Sequence, residues 1–301
     1  MICYRCEKQI LQRKEAFSGL HKACFMEWFD LKEETEFDDV IARESNNNPG
    51  NFDDINSSFF HGKFRKYSAK LGKQSYLLKV QQEEYPELPH CEFLCNQMAQ
   101  KLGLEVPAFY LIRFLGTLDT FVNRNFMQDI SNASLVHIYH FLSDTDSFDC
   151  ETIKNIIEEK TQRLRDVEKF IEITLFDALI GNHDRHGRNL GLIQTPSGFH
   201  LAPAYDNPSY LAIEMEKLLG AIHEPRGKIA TAETEEPRLG DYLREWRRLG
   251  HVNVVDHWLN RTNQLKEFLT ELIYSSFMSS KRKKAFVSLL HRRLEEANDI
   301  S

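Results

Sequence analysis

Gly181-Asn182-His183-Asp184-Arg185-His186-Gly187-Arg188-Asn189-Leu190 is the stretch whose reading decides the fold. Before it, Val167, Phe170, Ile171, Thr174, Leu175 and Ala178 recur at i, i+3, i+4, i+7, i+8 and i+11. That stripe predicts a long helix packed on a core and ending at Gly181. After it, apolar segments at 189–193 and 198–201 predict two short strands. A polar loop clamped between rigid elements holds side chains in fixed places, and Asp184 and Asn189 stand five positions apart. This Asp-x-x-x-x-Asn spacing sets a carboxylate beside an attacking hydroxyl and an amide oxygen on magnesium. Seventeen positions beyond Asn189, in Pro203-Ala204-Tyr205-Asp206, Asp206 is the second candidate magnesium ligand. His186 is read as a support of the catalytic loop.

Phosphoryl transfer also needs a cation on the nucleotide and a group that holds that cation. Residues 64–71, a turn at Gly72-Lys73, and 75–80 predict a hairpin, and Lys79 sits in it between Leu78 and Val80. An apolar strand is an awkward place for a lysine unless it meets phosphate. Residues 91–102 have helical periodicity and stop at Gly103, so Glu92 is the natural partner of Lys79. The plain alternatives are a solvent-facing edge-strand lysine and a solvated helix carboxylate. Two more strands are expected near 109–114 and 119–122. Ahead of the hairpin, where a nucleotide-covering loop belongs, Gly62 is the lone glycine. Lys63, Arg65 and Lys66 would supply cationic side chains in place of close-approach amides. Ser57 and Ser58 open that loop with hydroxyls, as an ordinary polar loop start also would.

At the N-terminus, Cys3-x-x-Cys6 and His21-x-x-Cys24 enclose fourteen residues, a spacing that suits a closed tetrahedral zinc site stapling a piece too short for its own core. Three unrelated thiols near a histidine is the alternative. Residues 1–28 are read as this zinc knuckle, 29–56 as an acidic and Asn/Pro/Gly-rich linker, 57–130 as a strand-rich N-lobe and 131–301 as a helical C-lobe. Helices are expected at about 262–278 and 281–297. The chain has 301 residues, 42% hydrophobic and 28% charged, the balance of a globular protein with a full core. Its apolar runs are far shorter than the ~20 residues that cross a bilayer, and Met1-Ile2-Cys3-Tyr4-Arg5-Cys6 lacks a signal-peptide h-region, so a cytoplasmic protein is expected. A net charge of −7 disfavours direct nucleic-acid binding, and six cysteines so placed are no disulfide framework. The fold expected is α+β, two-lobed and kinase-like.

Taken together, Ser75-Tyr-Leu-Leu-Lys79-Val80, Cys91-Glu92-Phe-Leu, Leu102-Gly-Leu-Glu-Val-Pro107, the 181–189 loop and Pro203-Ala-Tyr-Asp206 resemble the HipA-like serine/threonine kinases. The likeness is to the short HipT-type toxins of bacterial toxin-antitoxin operons in particular, and it covers about 57–301. The resemblance implies that Asp184 is the catalytic aspartate, Asn189 and Asp206 the magnesium ligands, Lys79 the ATP lysine, and Phe121-Val-Asn123-Arg124-Asn-Phe126 the lobe junction at the nucleotide. It also implies self-phosphorylation of a loop serine (Ser57 or Ser58), antitoxin partners, and an aminoacyl-tRNA synthetase as protein substrate. Two positions depart from the family: Arg188 stands where lysine is common, and His61-Gly62-Lys63-Phe64-Arg65-Lys66 replaces the usual Ser-Gly-Val-Gln-x-Lys loop. The competing readings are a phosphoinositide or small-molecule kinase, with the basic segments Lys281–Lys284 and His291–Arg293 toward an anionic membrane, and a pseudokinase binding module docking through its knuckle.

Overall fold

The computed structural model describes residues 1–12, 16–43 and 65–300. The expectations for Ser57, Ser58, Gly62 and Lys63 therefore lie outside the described residues. The chain begins with strands β1 (Ala16–Phe17) and β2 (Leu20–His21), helix α1 (Lys22–Trp28) and strand β3 (Asp38–Ala42). Next come β4 (Arg65–Leu71), β5 (Gln74–Val80), α2 (Leu88–Lys101), β6 (Phe109–Phe114), β7 (Leu118–Arg124) and β8 (Ser134–His137). The second half runs α3 (Cys150–Thr161), α4 (Leu164–Ile180), β9 (Gly191–Thr195), β10 (Gly198–Leu201), α5 (Leu239–Arg248), α6 (Val252–Gln264), α7 (Lys266–Ser275) and α8 (Ser280–Asn298).

Five strands in the order β3-β4-β5-β7-β6, all antiparallel, make the N-lobe sheet, and β10-β9-β8 make a smaller sheet beside the C-lobe helices. Side chains alternate across a strand. On β5, Tyr76 therefore faces the N-terminal segment, where it meets Phe29 and Phe37, while Lys79 faces α2 and its Glu92. Both faces are covered: Tyr76, Leu78 and Val80 fill the apolar face toward the N-terminal segment, and Leu77 and the buried Lys79 lie on the other.

Two apolar clusters match the two lobes, and α2 belongs to both. Its Leu88, Cys91, Leu94, Cys95, Met98 and Ala99 pack with the C-lobe helices, whereas Phe93 packs with the N-lobe sheet. The helix that carries Glu92 is thus built into the larger core.

Three expectations are corrected. The first 28 residues do not stand apart: Leu20 and Phe25 share the N-lobe core. The expected linker contains β3, an exposed edge strand held by backbone pairing to β4 and by an ion pair from Lys70 to Asp39 at 2.6 Å. The single helix expected at 262–278 is the end of α6 and all of α7, with a break at Leu265.

Gly181 ends α4 at φ +72°, and an added Cβ would lie 2.7 Å from Cγ of Pro225. Gly181→Ala is expected to lower unfolding free energy by about 1–3 kcal/mol, the left-handed cost plus the clash. Urea denaturation measures it. An unchanged midpoint would mean that the loop start tolerates ordinary backbone.

Candidate active site

The helix α4 stops at Gly181 and the chain turns at once into the 182–190 loop, so Asp184 and Asn189 are placed by a helix end on one side and β9 on the other. Asp184 is buried, and its backbone N–H donates to Oδ1 of Asn182 at 3.0 Å. Asn189 Nδ2 donates to the Asp184 carbonyl at 2.9 Å and faces Asp184 Oδ2 at 3.4 Å. His186 braces the loop from inside: its N–H donates to the Asp184 carbonyl and its own carbonyl accepts from the Asn189 N–H, each at 2.8 Å. Its Nδ1 accepts from the Arg188 N–H at 3.2 Å, and burial pushes the imidazole down to about 4, which keeps it neutral at pH 7. A neutral acceptor beside the loop suits support, the role the sequence reading gave it.

Above the loop, Lys79 of β5 is buried and ion-paired with Glu92 of α2 and with Asp206 at 2.5 Å. Burial opposes its charge, but the two carboxylates hold the ammonium above the ordinary lysine value. Asp206 is likewise opposed by burial, yet Lys79 and Lys66 hold it well below the usual carboxylate range. Glu92 moves the other way, pushed up by burial despite Lys79. Lys66 lies on strand β4 directly opposite Lys79 rather than in a loop, so the pleat puts both cations on one face. Phe121 and Asn123 lie on β7 opposite Lys79 and Leu77, and Lys79 Nζ sits 5.7 Å from the Phe121 ring centre. Phe121 belongs to the core. Asn123 Oδ1 is buried and has no partner among the described residues.

The donor set fits magnesium. With Nδ2 of Asn189 committed to Asp184, its Oδ1 is the oxygen it can offer, and Asp206 is ionised and one-fifth exposed. Two carboxylates share one ammonium in this triad, so a hard cation on Asp206 would balance the local charge.

Residues the sequence reading passed over hold these parts together. Arg185 is fully buried and grips Asp177 of α4 through Nε at 2.7 Å and Nη2 at 2.9 Å. Nη1 donates to the carbonyls of Asn189 at 2.8 Å and Tyr205 at 2.5 Å, and Nη2 to Oδ1 of Asn207 at 2.7 Å. Asn207 continues to Oδ1 of Asn96 at 3.0 Å, and Asn96 to the Glu92 carbonyl at 2.8 Å. One guanidinium therefore fixes the loop of Asp184, the backbone beside Asp206 and the helix of Glu92. The available signal was Asp177 itself, a carboxylate three residues after Thr174 on the apolar stripe, which demands a buried cation.

On the other face of the sheet, one ligand atom from each of Cys3, Cys6, His21 and Cys24 lies within 4.8 Å of all the others. The sequence reading grouped the same four residues.

Residues 55–277 match the family described as HipA-like C-terminal domain. A search of the curated proteins returns no match. Among solved structures, the Helicobacter pylori proinflammatory kinase CtkA is similar with a TM-score of 0.64 at 17% identity, covering 81% of this chain and 92% of that one. The Shewanella oneidensis HipA, solved with HipB and operator DNA as a toxin-antitoxin complex, is similar with a TM-score of 0.53 at 16% identity. That match covers 74% of this chain and 58% of the other.

Proposed function

The chain belongs to the HipA-like C-terminal domain family, and from that premise we propose that it is an ATP- and magnesium-dependent serine/threonine protein kinase, a toxin of the HipT type. The observation that carries the reading is the triad of Lys79 with Glu92 and Asp206, standing over a loop in which Asn189 is hydrogen-bonded to Asp184. No pseudokinase would need this set intact.

Each residue then has a defined task. Lys79, held by Glu92, orients the nucleotide phosphates, and Lys66 adds a second positive charge on the same face. Asn123 Oδ1 is an acceptor suited to the adenine amino group, beside the apolar Phe121. Asn189 and Asp206 would hold magnesium, which when bound offsets the charge on the phosphate oxygens. Asp184 takes the proton of the substrate hydroxyl as its oxygen bonds to the γ-phosphorus and the bond to the bridging oxygen of ADP breaks. The protein substrate is a component of translation, an aminoacyl-tRNA synthetase by resemblance, and the cellular setting is the cytoplasm. The Shewanella relative was solved with its HipB partner, which supports a small antitoxin partner here. Self-phosphorylation at Ser57 or Ser58 would add roughly −1.5 to −2 charge where the nucleotide must bind, and so switch the enzyme off.

The test is incubation of a whole-cell lysate with the protein, magnesium and γ-labelled ATP. A labelled protein band is expected, and the peptide holding Ser57 and Ser58 should gain the mass of one phosphate. Label in extracted lipid would favour a phosphoinositide kinase instead. No label in either fraction, with ATP bound, would favour a binding module.

A further inference from the structure

We propose that Cys3, Cys6, His21 and Cys24 hold one structural zinc ion, and that this metal makes the N-terminal segment a clamp across both lobes of the kinase fold. The site lies outside residues 55–277, the part matched by the family. Its four ligand atoms all lie within 4.8 Å of one another, close enough to share one ion. Sγ of Cys6 is 3.4 Å and Sγ of Cys24 is 3.9 Å from Nδ1 of His21. Zinc–sulfur and zinc–nitrogen bonds of about 2.3 and 2.0–2.1 Å at tetrahedral angles put S and N about 3.5 Å apart, between those two values. No disulfide joins the three thiols. Four protein ligands leave no open position, so the metal is structural rather than catalytic.

The local fold presents the ligands in two pairs. Cys3 and Cys6 flank a turn closed by the Glu7 N–H to the Cys3 carbonyl at 2.9 Å. His21 ends the β1–β2 hairpin and Cys24 follows in the first turn of α1. The interior of this segment is small, built around Phe25, which meets Phe17 at 4.6 Å and Phe29 at 4.7 Å. Its other large contacts are with the kinase fold: Phe29 stacks on Tyr110 at 4.1 Å, and Trp28 meets Tyr110 at 5.5 Å and Phe93 at 6.1 Å. A segment whose apolar face is turned outward onto a neighbour needs another source of internal order, and a bound metal supplies it.

The clamp runs through Tyr4, which lies between the first two ligands. Its hydroxyl donates to Asp119 Oδ1 at 2.5 Å, and its ring lies under the Arg113 guanidinium at 4.7 Å, both N-lobe residues. The same ring meets Phe277, in the turn between α7 and α8 of the C-lobe, at 4.8 Å. The hairpin adds a backbone grip, with the Arg113 N–H on β6 donating to the Ser18 carbonyl at 2.8 Å. Ordering the Cys3–Cys6 turn around zinc therefore orders Tyr4, and Tyr4 touches both lobes behind the nucleotide cleft.

Metal analysis and hydrogen exchange on the full-length protein test this independently of phosphoryl transfer. About one zinc per chain is expected after purification without added metal, and cobalt exchanged into the site should give the visible absorption of tetrahedral thiolate coordination. Cys6→Ser and Cys24→Ser should each lose the metal, while Cys150→Ala, far along the chain in the C-lobe core, should keep it. Removing zinc with a chelator should speed amide exchange in β6 and around Phe277 by tenfold or more. Tyr4→Ala should keep the zinc but show the faster exchange around Phe277. Less than half an equivalent of zinc, or full zinc in Cys6→Ser, would overturn the site. Zinc removed with exchange around Phe277 unchanged would overturn the clamp.

Discussion

Asp184→Asn is expected to lower phosphoryl transfer by about 10²–10⁴-fold, the usual contribution of a positioned proton acceptor. The fold and ATP affinity should both survive. An amide is the same size as the carboxylate it replaces, and it can still accept the contact that Asn189 Nδ2 makes with Oδ2 at 3.4 Å. The bonds of the Asp184 backbone to Asn182 and Asn189 are left alone by the substitution. In the proposed function the nucleotide contacts fall to Lys79 and the residues around it, so the dissociation constant for ATP should stay within about twofold. The loss should therefore appear in kcat, which is the mark of an interaction made in the transition state. Single-turnover assays with labelled ATP, beside thermal unfolding of both proteins, measure it. A variant that keeps more than a few per cent of transfer would remove Asp184 from the role of proton acceptor.

Sequence reasoning singled out residues by their chemical types and spacing and passed over those that only assembly requires, such as Arg185 and Asn207. Asp184, Asn189 and Asp206 could be singled out because their types and spacing would suit an oxygen-ligated cation and a hydroxyl, and the structure sets Asn189 against Asp184 and Asp206 against Lys79. Lys79 was legible because a lysine among Leu77, Leu78 and Val80 needs a reason. The hairpin, α2, α4 and the β9–β10 pair were legible because each shows one period of apolar residues ended by a glycine or a turn. Strand β3 carries no such pattern, since all five of its residues are exposed and it is held by backbone pairing to β4 and the ion pair of Asp39 with Lys70 rather than by buried apolar side chains. The break between α6 and α7 has neither Pro nor Gly to announce it, and the apolar period runs across Leu265. The stripe of α5, Leu239, Tyr242, Leu243 and Trp246, is in the sequence at i, i+3, i+4 and i+7, but its start follows the polar run Glu235-Glu236-Pro237. That the N-terminal segment covers the N-lobe sheet could have been suspected from β5, where Tyr76, Leu78 and Val80 alternate on the face away from Lys79 and need an apolar layer over them.

Arg185→Leu is expected to cost about 3–5 kcal/mol of stability, because it leaves the Asp177 carboxylate buried without its partner. Against a total of about 5–15 kcal/mol, that leaves a protein partly unfolded or poorly expressed. Arg185→Lys separates charge from shape. Lysine keeps the positive charge beside Asp177 but cannot reproduce five donor contacts that spread from one plane to Asp177, Asn189, Tyr205 and Asn207. It should fold with a smaller loss, and lose phosphoryl transfer by about 10²-fold, since a shift of about 1 Å in the loop can cost that much. The double variant Asp177→Leu with Arg185→Leu decides whether the pair is there for stability or for position. Replacing a whole buried pair by apolar residues is often neutral, so the double variant should regain much of the stability that Arg185→Leu loses. It should stay weak in transfer, because the carbonyls of Asn189 and Tyr205 still lack the guanidinium that ties the Asn189 loop to the segment beside Asp206. Urea unfolding and labelled-ATP assays on the three variants give the comparison. Recovery of activity along with stability would show that Arg185 only neutralises Asp177. Stability without activity would make it the residue that sets the distance between the catalytic loop and Asp206.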